Sequence, residues 1–333
     1  MFFRPIVILL SLAAIAGAAT AANYHVAGSL PGPDGGWDLA SVDPVSETLF
    51  VARSDSVTAF DLKTGRAKAL APAGRGHAAL ALPGSRSIIV SSGSDNSAAE
   101  LDGATGALLA RFPTGKNPDA AAYDPLTRRV FVMTPGSGDI SVIDPWARKL
   151  IGSIKVGGSL ELGVADGRGS LFVNIEDQNR VAKIDTRSLR LIRQFALPGC
   201  DGPTGIAYAA DSRRLVSACA NGVAVISTGD GATVATLPIG KGADGAVYDE
   251  QRKVALVPAG KDGNLSVLSL SGVPRVLEVV PTAVGARTIA LDPTTGIAYL
   301  PTAERRAVVG SDRPQPVPGT FRILIVQPRR VLR

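Results

Sequence analysis

Apolar and polar positions along the chain fall into short runs that come in groups of four, with the groups about 40 residues apart. The first run of each group follows a glycine-rich approach. It has one polar residue, then four mostly small or apolar residues, then a turn that is often Asp-Pro. Gly36-Trp37-Asp38-Leu39-Ala40-Ser41-Val42-Asp43-Pro44 and Asn117-Pro118-Asp119-Ala120-Ala121-Ala122-Tyr123-Asp124-Pro125 show this most clearly. The second run is β-branched and aromatic, as in Leu49-Phe50-Val51, Ile88-Ile89-Val90 and Val130-Phe131-Val132. The third alternates toward an aspartate turn, as in Ile140-Ser141-Val142-Ile143-Asp144, and the fourth ends in glycine or proline, as from Ile151 to Gly157. Runs this short, bounded by turn residues, are strands.

Anchored on the turn, seven copies fall at positions 43, 82, 124, 166, 209, 249 and 292. Such a period, filled with four short strands, predicts a β-propeller with one repeat per blade. The seventh copy supplies only three runs, 288–291, 297–301 and 321–326, and its missing fourth stands at Tyr24 to Gly32. The expected fold is all-β: a seven-bladed β-propeller closed by an N-terminal strand that completes the last blade and hides its edges. Residues 1–22 read as a secretory signal peptide, 23–328 as the single propeller and 329–333 as a basic tail.

The leader reading rests on Arg4, on an apolar run from Ile6 to Ile15 broken only by Ser11, and on Ala19-Thr20-Ala21-Ala22 as a cleavage site. It implies export, to a periplasm. The run is too short and alanine-rich for a comfortable membrane span, and no later segment is long and apolar enough for one. In an oxidising compartment the two cysteines, Cys200 and Cys219, are expected to pair. One precedes the first strand of the fifth repeat and the other ends its second, so antiparallel pairing brings them to one edge. Two buried free thiols are the alternative.

Composition narrows the partner class. The formal charge of +6 is a mild excess, part of it in the tail, and such an excess is ordinary for a surface. Aromatic residues are 5% of the chain, which leaves few platforms for stacked bases. Nucleic acid is therefore the weakest of the candidate partners, and the expected state is a monomer.

Candidate chemistry follows from register. The polar residue of the opening phrase lies five positions before the anchor in every repeat: Asp38, His77, Asp119, Glu161, Thr204, Asp244 and Arg287. Buried charges need partners, so polar residues in one register are expected to ring a mouth of the central channel. Blades one to four give an acidic arc with an imidazole inside it. Arg287 stands between Asp244 and Asp38 in the ring and is expected to neutralise one of them. Oxygen-rich ligation with one nitrogen suits a divalent cation, calcium or similar, held by Asp38, His77, Asp119 and Glu161. A solvated polar channel or a small polar ligand is the alternative.

Loops joining second to third strands open on the same face. They bring Arg53 and Asp55, Asp95 and Asn96, Asn174 with Glu176 and Asp177, and Glu304 with Arg305 and Arg306. Trp37, Asn174, Glu176 and Glu304 join the ring as candidate ligand contacts, although packing between blades is the commoner use of a tryptophan such as Trp37. The loop 303–319, with Pro314, Pro316 and Pro318, reads as a lid, a partner-binding arm or a tolerated insertion. Gly240-Lys241-Gly242-Ala243-Asp244-Gly245 fits a dinucleotide fingerprint but leads into a strand, so it lacks the helix dipole that would hold phosphate. The chain has no Gly-x-Ser-x-Gly elbow. Its two histidines are His25, in the closing strand, and His77, so a general base would have to be His77 or Glu161.

Leu171-Phe172-Val173-Asn174-Ile175-Glu176-Asp177-Gln178-Asn179-Arg180-Val181-Ala182-Lys183-Ile184-Asp185 is similar to the Tyr-Val-Thr-Asn…Asn-x-Val…Ile-Asp repeat of the YVTN family of seven-bladed propellers. Asn117-Pro118-Asp119-Ala120 fits that family's Gly-x-x-Pro approach. The chain resembles its periplasmic YncE-like members over the whole propeller, although no blade carries a literal Tyr-Val-Thr-Asn and blades two and five are degenerate. Many such relatives are labelled lactonases or surface antigens by analogy, so the resemblance implies a fold more than a reaction. The expected function is binding of a small polar ligand or a periplasmic protein at the channel mouth, without catalysis. A metal-assisted lactonase-type hydrolase is the alternative, and a nucleic-acid-binding propeller a second one.

Overall fold

The computed structural model describes residues 23–307 and 314–329. The expected leader, residues 308–313 of the proline-rich loop and residues 330–333 of the expected tail lie outside the described residues.

Seven four-stranded antiparallel sheets make the seven blades. Their inner strands are Trp37–Asp43, Ala79–Ala81, Ala121–Asp124, Leu160–Ala165, Pro203–Ala209, Val247–Asp249 and Ala290–Leu291. Each inner strand touches the next, and the last touches the first, so the blades form a closed ring. A single 3-10 turn, Glu176–Gln178, is the only helix among the described residues.

Burial explains the composition of each run. The second strand of a blade is enclosed by the blades on either side, so both its faces are dry and its sequence is mostly apolar. In Thr48–Arg53, for example, every residue after Thr48 is buried. The outermost strands meet solvent: Lys149–Lys155 buries Ile154 and exposes both lysines. Turns after the third strands of blades one to four are fixed by aspartates. Asp61, Asp102, Asp144 and Asp185 each accept hydrogen bonds from the N–H groups two and three residues on, which holds the hairpin without help from the core.

The core is distributed between blades. Leu49, Val51 and Phe60 of blade one pack with Tyr299, Phe321 and Ile323 of blade seven. Leu256, Leu265 and Val267 of blade six pack with Leu300 and Val326. No blade completes its own core.

Ring closure follows the expected route. Tyr24–Pro31 pairs antiparallel with Arg322–Pro328, from Tyr24 opposite Pro328 to Pro31 opposite Arg322. Arg322–Pro328 pairs in turn with Ala298–Thr302. The closing strand is also tied to blade six. The Tyr24 N–H donates to Glu278 at 3.0 Å and its buried hydroxyl donates to Asp249 at 2.8 Å. Burial beside the Asp249 carboxylate pushes the Tyr24 phenol far above its ordinary pKa, so it remains a donor. The N–H of Arg329 donates to Asn23 O at 2.6 Å. No helix among the described residues is long and apolar enough to cross a membrane.

Cys200 and Cys219 form a disulfide across the start of blade five, with their Cα atoms 5.5 Å apart. Pro203 stands opposite Cys219 in the ladder, which brings the two cysteines to one edge. The bond closes a loop of sequence separation 19. A cross-link over such a loop removes unfolded-state entropy worth about 3 kcal/mol. The double variant Cys200→Ala/Cys219→Ala is expected to lose about that much unfolding free energy in urea titration. Identical titrations for parent and variant would show that the cross-link adds no stability.

Candidate ligand site at the channel mouth

The backbone leaves regular pairing where the register residues sit. In blades one, four and five the ladder between inner and second strands is interrupted between Trp37 and Ala40, Leu160 and Gly163, and Pro203 and Gly205. Asp38, Glu161 and Thr204 lie within those interruptions. In the other blades His77, Asp119, Asp244 and Arg287 precede the first residue of the inner strand. A bulge or an unpaired approach frees a side chain from the strict alternation of a strand and re-aims it.

Five of the register residues form a chain of contacts. The His77 Nδ1 is 2.7 Å from an Asp38 carboxylate oxygen and 3.7 Å from one of Asp119. The Arg287 Nε is 3.0 Å from Asp244, and its Nη2 is 3.9 Å from Asp38. Arg287 thus engages both acidic neighbours rather than one. The side chains of Asp38, His77, Asp119 and Asp244 are between 20% and 24% exposed, so their charges are partly desolvated.

Burial and crowding set the protonation of this ring. Glu161 is pushed up to about 9, first by burial and then by repulsion from Asp119, Glu176, Asp244 and Asp38. Burial raises Asp119 to about 6, with the nearby His77 opposing it, and raises Asp244 to about 7 despite Arg287. His77 is held above its ordinary value, mainly by the hydrogen bond to Asp38. At neutral pH, in the absence of a ligand, Glu161 therefore keeps its proton.

The other candidates divide. Glu176, on the 3-10 turn of blade four, is close enough to raise the pKa values of Asp119, Glu161 and Asp244. Several expectations need correction. Asn174 is not in a loop: it is fully buried in the strand Ser170–Ile175, where its Nδ2 donates to Thr204 O and Gly205 O and its Oδ1 accepts from Ser217. With its amide satisfied it joins blades four and five. Glu304 turns aside to Arg322, at 3.8 Å. Trp37 is buried against Phe321, with ring centroids 5.1 Å apart. Thr204 stays beside the mouth, but its hydroxyl donates to Ala243 O. Arg53, expected in a loop, ends a strand and is buried, donating to Pro33 O and Gly35 O.

Below the ring a channel of about 600 Å³ runs between the inner strands, walled by Leu39, Ala79, Leu162, Ile206, Val247 and Ile289. Beside the ring on its upper face, a second cavity of about 450 Å³ is lined by Glu176, Asp244 and Arg287 together with Lys261 and Arg305. Lys261 was not singled out in the sequence. It lies in the second-to-third-strand loop of blade six, the same kind of loop that holds Glu176, and that equivalence was the available signal.

No family model matches the chain, and no curated protein matches it significantly. Among solved structures, a chain of Kuenenia stuttgartiensis hydrazine synthase is similar with a TM-score of 0.68 at 19% identity, covering 83% of this chain and 94% of that one. A chain in a crystal structure of a mitotic checkpoint complex is similar with a TM-score of 0.74 at 16% identity, over 98% and 99%. The chain is a seven-bladed β-propeller. At such identities the likeness carries the fold alone, and the fold hosts many unrelated activities.

The raised Glu161 makes a prediction about stability. Its folded pKa exceeds the unfolded one, so the native state gains most while the carboxyl is protonated and loses that gain as pH rises toward 9. Glu161→Gln removes the penalty. Thermal melts of the variant are expected to match the parent near pH 5 and to exceed it by a margin that widens toward pH 9. A margin independent of pH would show that Glu161 is not buried among like charges.

Proposed function

We propose that the chain is an exported propeller, acting as a monomer, that binds a small ligand through a cationic group at the channel mouth and has no chemistry of its own. Glu161 carries this reading. Its carboxylate has no hydrogen bond or ion pair among the described residues, yet four other carboxylates repel it. A cation placed there would relieve the repulsion and replace the proton. The raised Glu161 favours binding over hydrolysis, since it holds its proton at neutral pH and a general base must be free to accept one. The acidic mouth also repels phosphate, which weighs against nucleic acid on this face. Export is supported by the leader pattern at residues 1–22 and by the disulfide, which persists in oxidising compartments. Assignment to the YncE-like propellers is supported by the repeat resemblance, and a periplasmic protein that presents a lysine or an amino terminus would meet the same carboxylates.

A second reading has its own observation. One ligand atom each from Asp38, His77 and Asp119 lie within 4.8 Å of one another. A divalent cation on these groups, once His77 gives up its proton, could polarise a substrate carbonyl in lactonase-type hydrolysis. Elemental analysis after dialysis against trace metals separates the two. Near one equivalent of bound metal supports this reading, and a metal-free protein rejects it.

The first reading predicts that cation binding and proton release go together. Ethylammonium chloride titrated by calorimetry should give heats that vary with the ionisation enthalpy of the buffer. Affinity should rise about tenfold per pH unit from 7 toward 9, because the proton on Glu161 competes. Glu161→Gln should abolish both effects. Binding that is indifferent to pH would overturn the assignment of the cationic group to Glu161.

A further inference from the structure

Charge at the mouth is segregated by blade. Acids stand on blades one, three, four and six, whereas cations gather where blade six meets blade seven. Lys261, Arg287 and Arg305 line the 450 Å³ cavity there, and Glu176, on blade four, lines the same cavity at its other end. That volume is in the range of small-molecule sites.

The cations differ in how they are satisfied. Arg287 is engaged by Asp244 and Asp38. Neither Lys261 nor Arg305 has a carboxylate within ion-pair distance among the described residues. Arg305 is nonetheless held in place. Its guanidinium lies 5.4 Å over the Trp37 indole, and its Nη1 donates to Pro314 O at 3.0 Å. Burial, and then repulsion from Arg287, lowers its pKa. A fixed, partly desolvated guanidinium beside a second one is a place where an anion gains on both.

We infer that the mouth takes a zwitterion of amino-acid chemistry, its ammonium group against Glu161 and Glu176 and its carboxylate against Arg305 and Lys261. The inference rests on the cationic-ligand reading and adds a second recognised group to it. A site with fixed charges of both signs discriminates against a ligand that lacks either, because binding then leaves a protein charge desolvated and unpaired. Trp37 gains a role here: packed on Phe321 by one contact and beneath Arg305 by another, it is the platform that positions the carboxylate-binding group.

The test is calorimetric titration at pH 8 with glycine, β-alanine, γ-aminobutyrate and ε-aminocaproate. Each is compared with the alkylamine and the carboxylate of the same chain length. At least one zwitterion is expected to bind about tenfold or more tightly than its amine counterpart. In the double variant Arg305→Gln/Lys261→Gln, with folding checked by melting, that ratio should fall to near one. Equal affinity of amines and zwitterions in the parent, or an advantage that survives in the double variant, overturns this inference and leaves the cationic-ligand reading standing. If neither amines nor zwitterions bind, both fall.

Discussion

The molecule depends on one antiparallel pairing, that of Tyr24–Pro31 with Arg322–Pro328. Second strands are dry on both faces only if a blade stands on each side. A row of blades with open ends would leave an apolar sheet face wet at each end, at a cost proportional to the area exposed. Closing the ring removes both faces at once. The closing strand therefore supplies more than the hydrogen bonds of its own ladder, and its first residue reaches past that ladder to Asp249 and Glu278 on blade six.

The same closure creates the site. Seven inner strands brought side by side put their approach residues around one opening, and five carboxylates meet there whether or not they are compatible. Partial burial weakens the solvation that would otherwise keep them all ionised, so protons are retained on Glu161 and shared unequally among its neighbours. Arg287 relieves one side of the ring by touching two acids, and His77 relieves another through Asp38. Glu161 has no such partner among the described residues. An electrostatic demand has been built into the mouth by the fold, and the residue facing it is the one that lacks a counter-charge.

What could be read from the sequence was whatever repeats. The order of the strand runs and the spacing of the opening phrase recur in each blade, and aspartate turns follow the third strand in blades one to four, so strand order, ring closure and the register of polar residues were all visible. The disulfide was visible as well, because antiparallel strands bring predictable positions to one edge. Asn174 was misplaced because a polar residue after Phe172-Val173 reads as the start of a loop. In the structure the strand runs two residues further, to Ile175, and the amide nitrogen donates its hydrogen bonds to the backbone of the next blade. Arg53 deceived for the same reason. The basic side of the mouth was only half visible. Arg305 was expected on this face from its second-to-third-strand loop, Lys261 in the equivalent loop of blade six was not, and their shared cavity is a matter of distance between blades rather than of position within a repeat.

The geometry of the closing strand has a mechanical side. Its first pair, Tyr24 with Pro328, stands at one end of the ladder, and the chain enters and leaves the domain there. Tension applied between these two residues acts across the strands, loading one hydrogen bond at a time, instead of along them, where the whole ladder would share the load. The seam that makes the ring continuous is thus its softest point under a pull at the two termini of the domain. Peeling it exposes the apolar flank of blade six as well as that of blade seven, because Tyr24 belongs to the core between them.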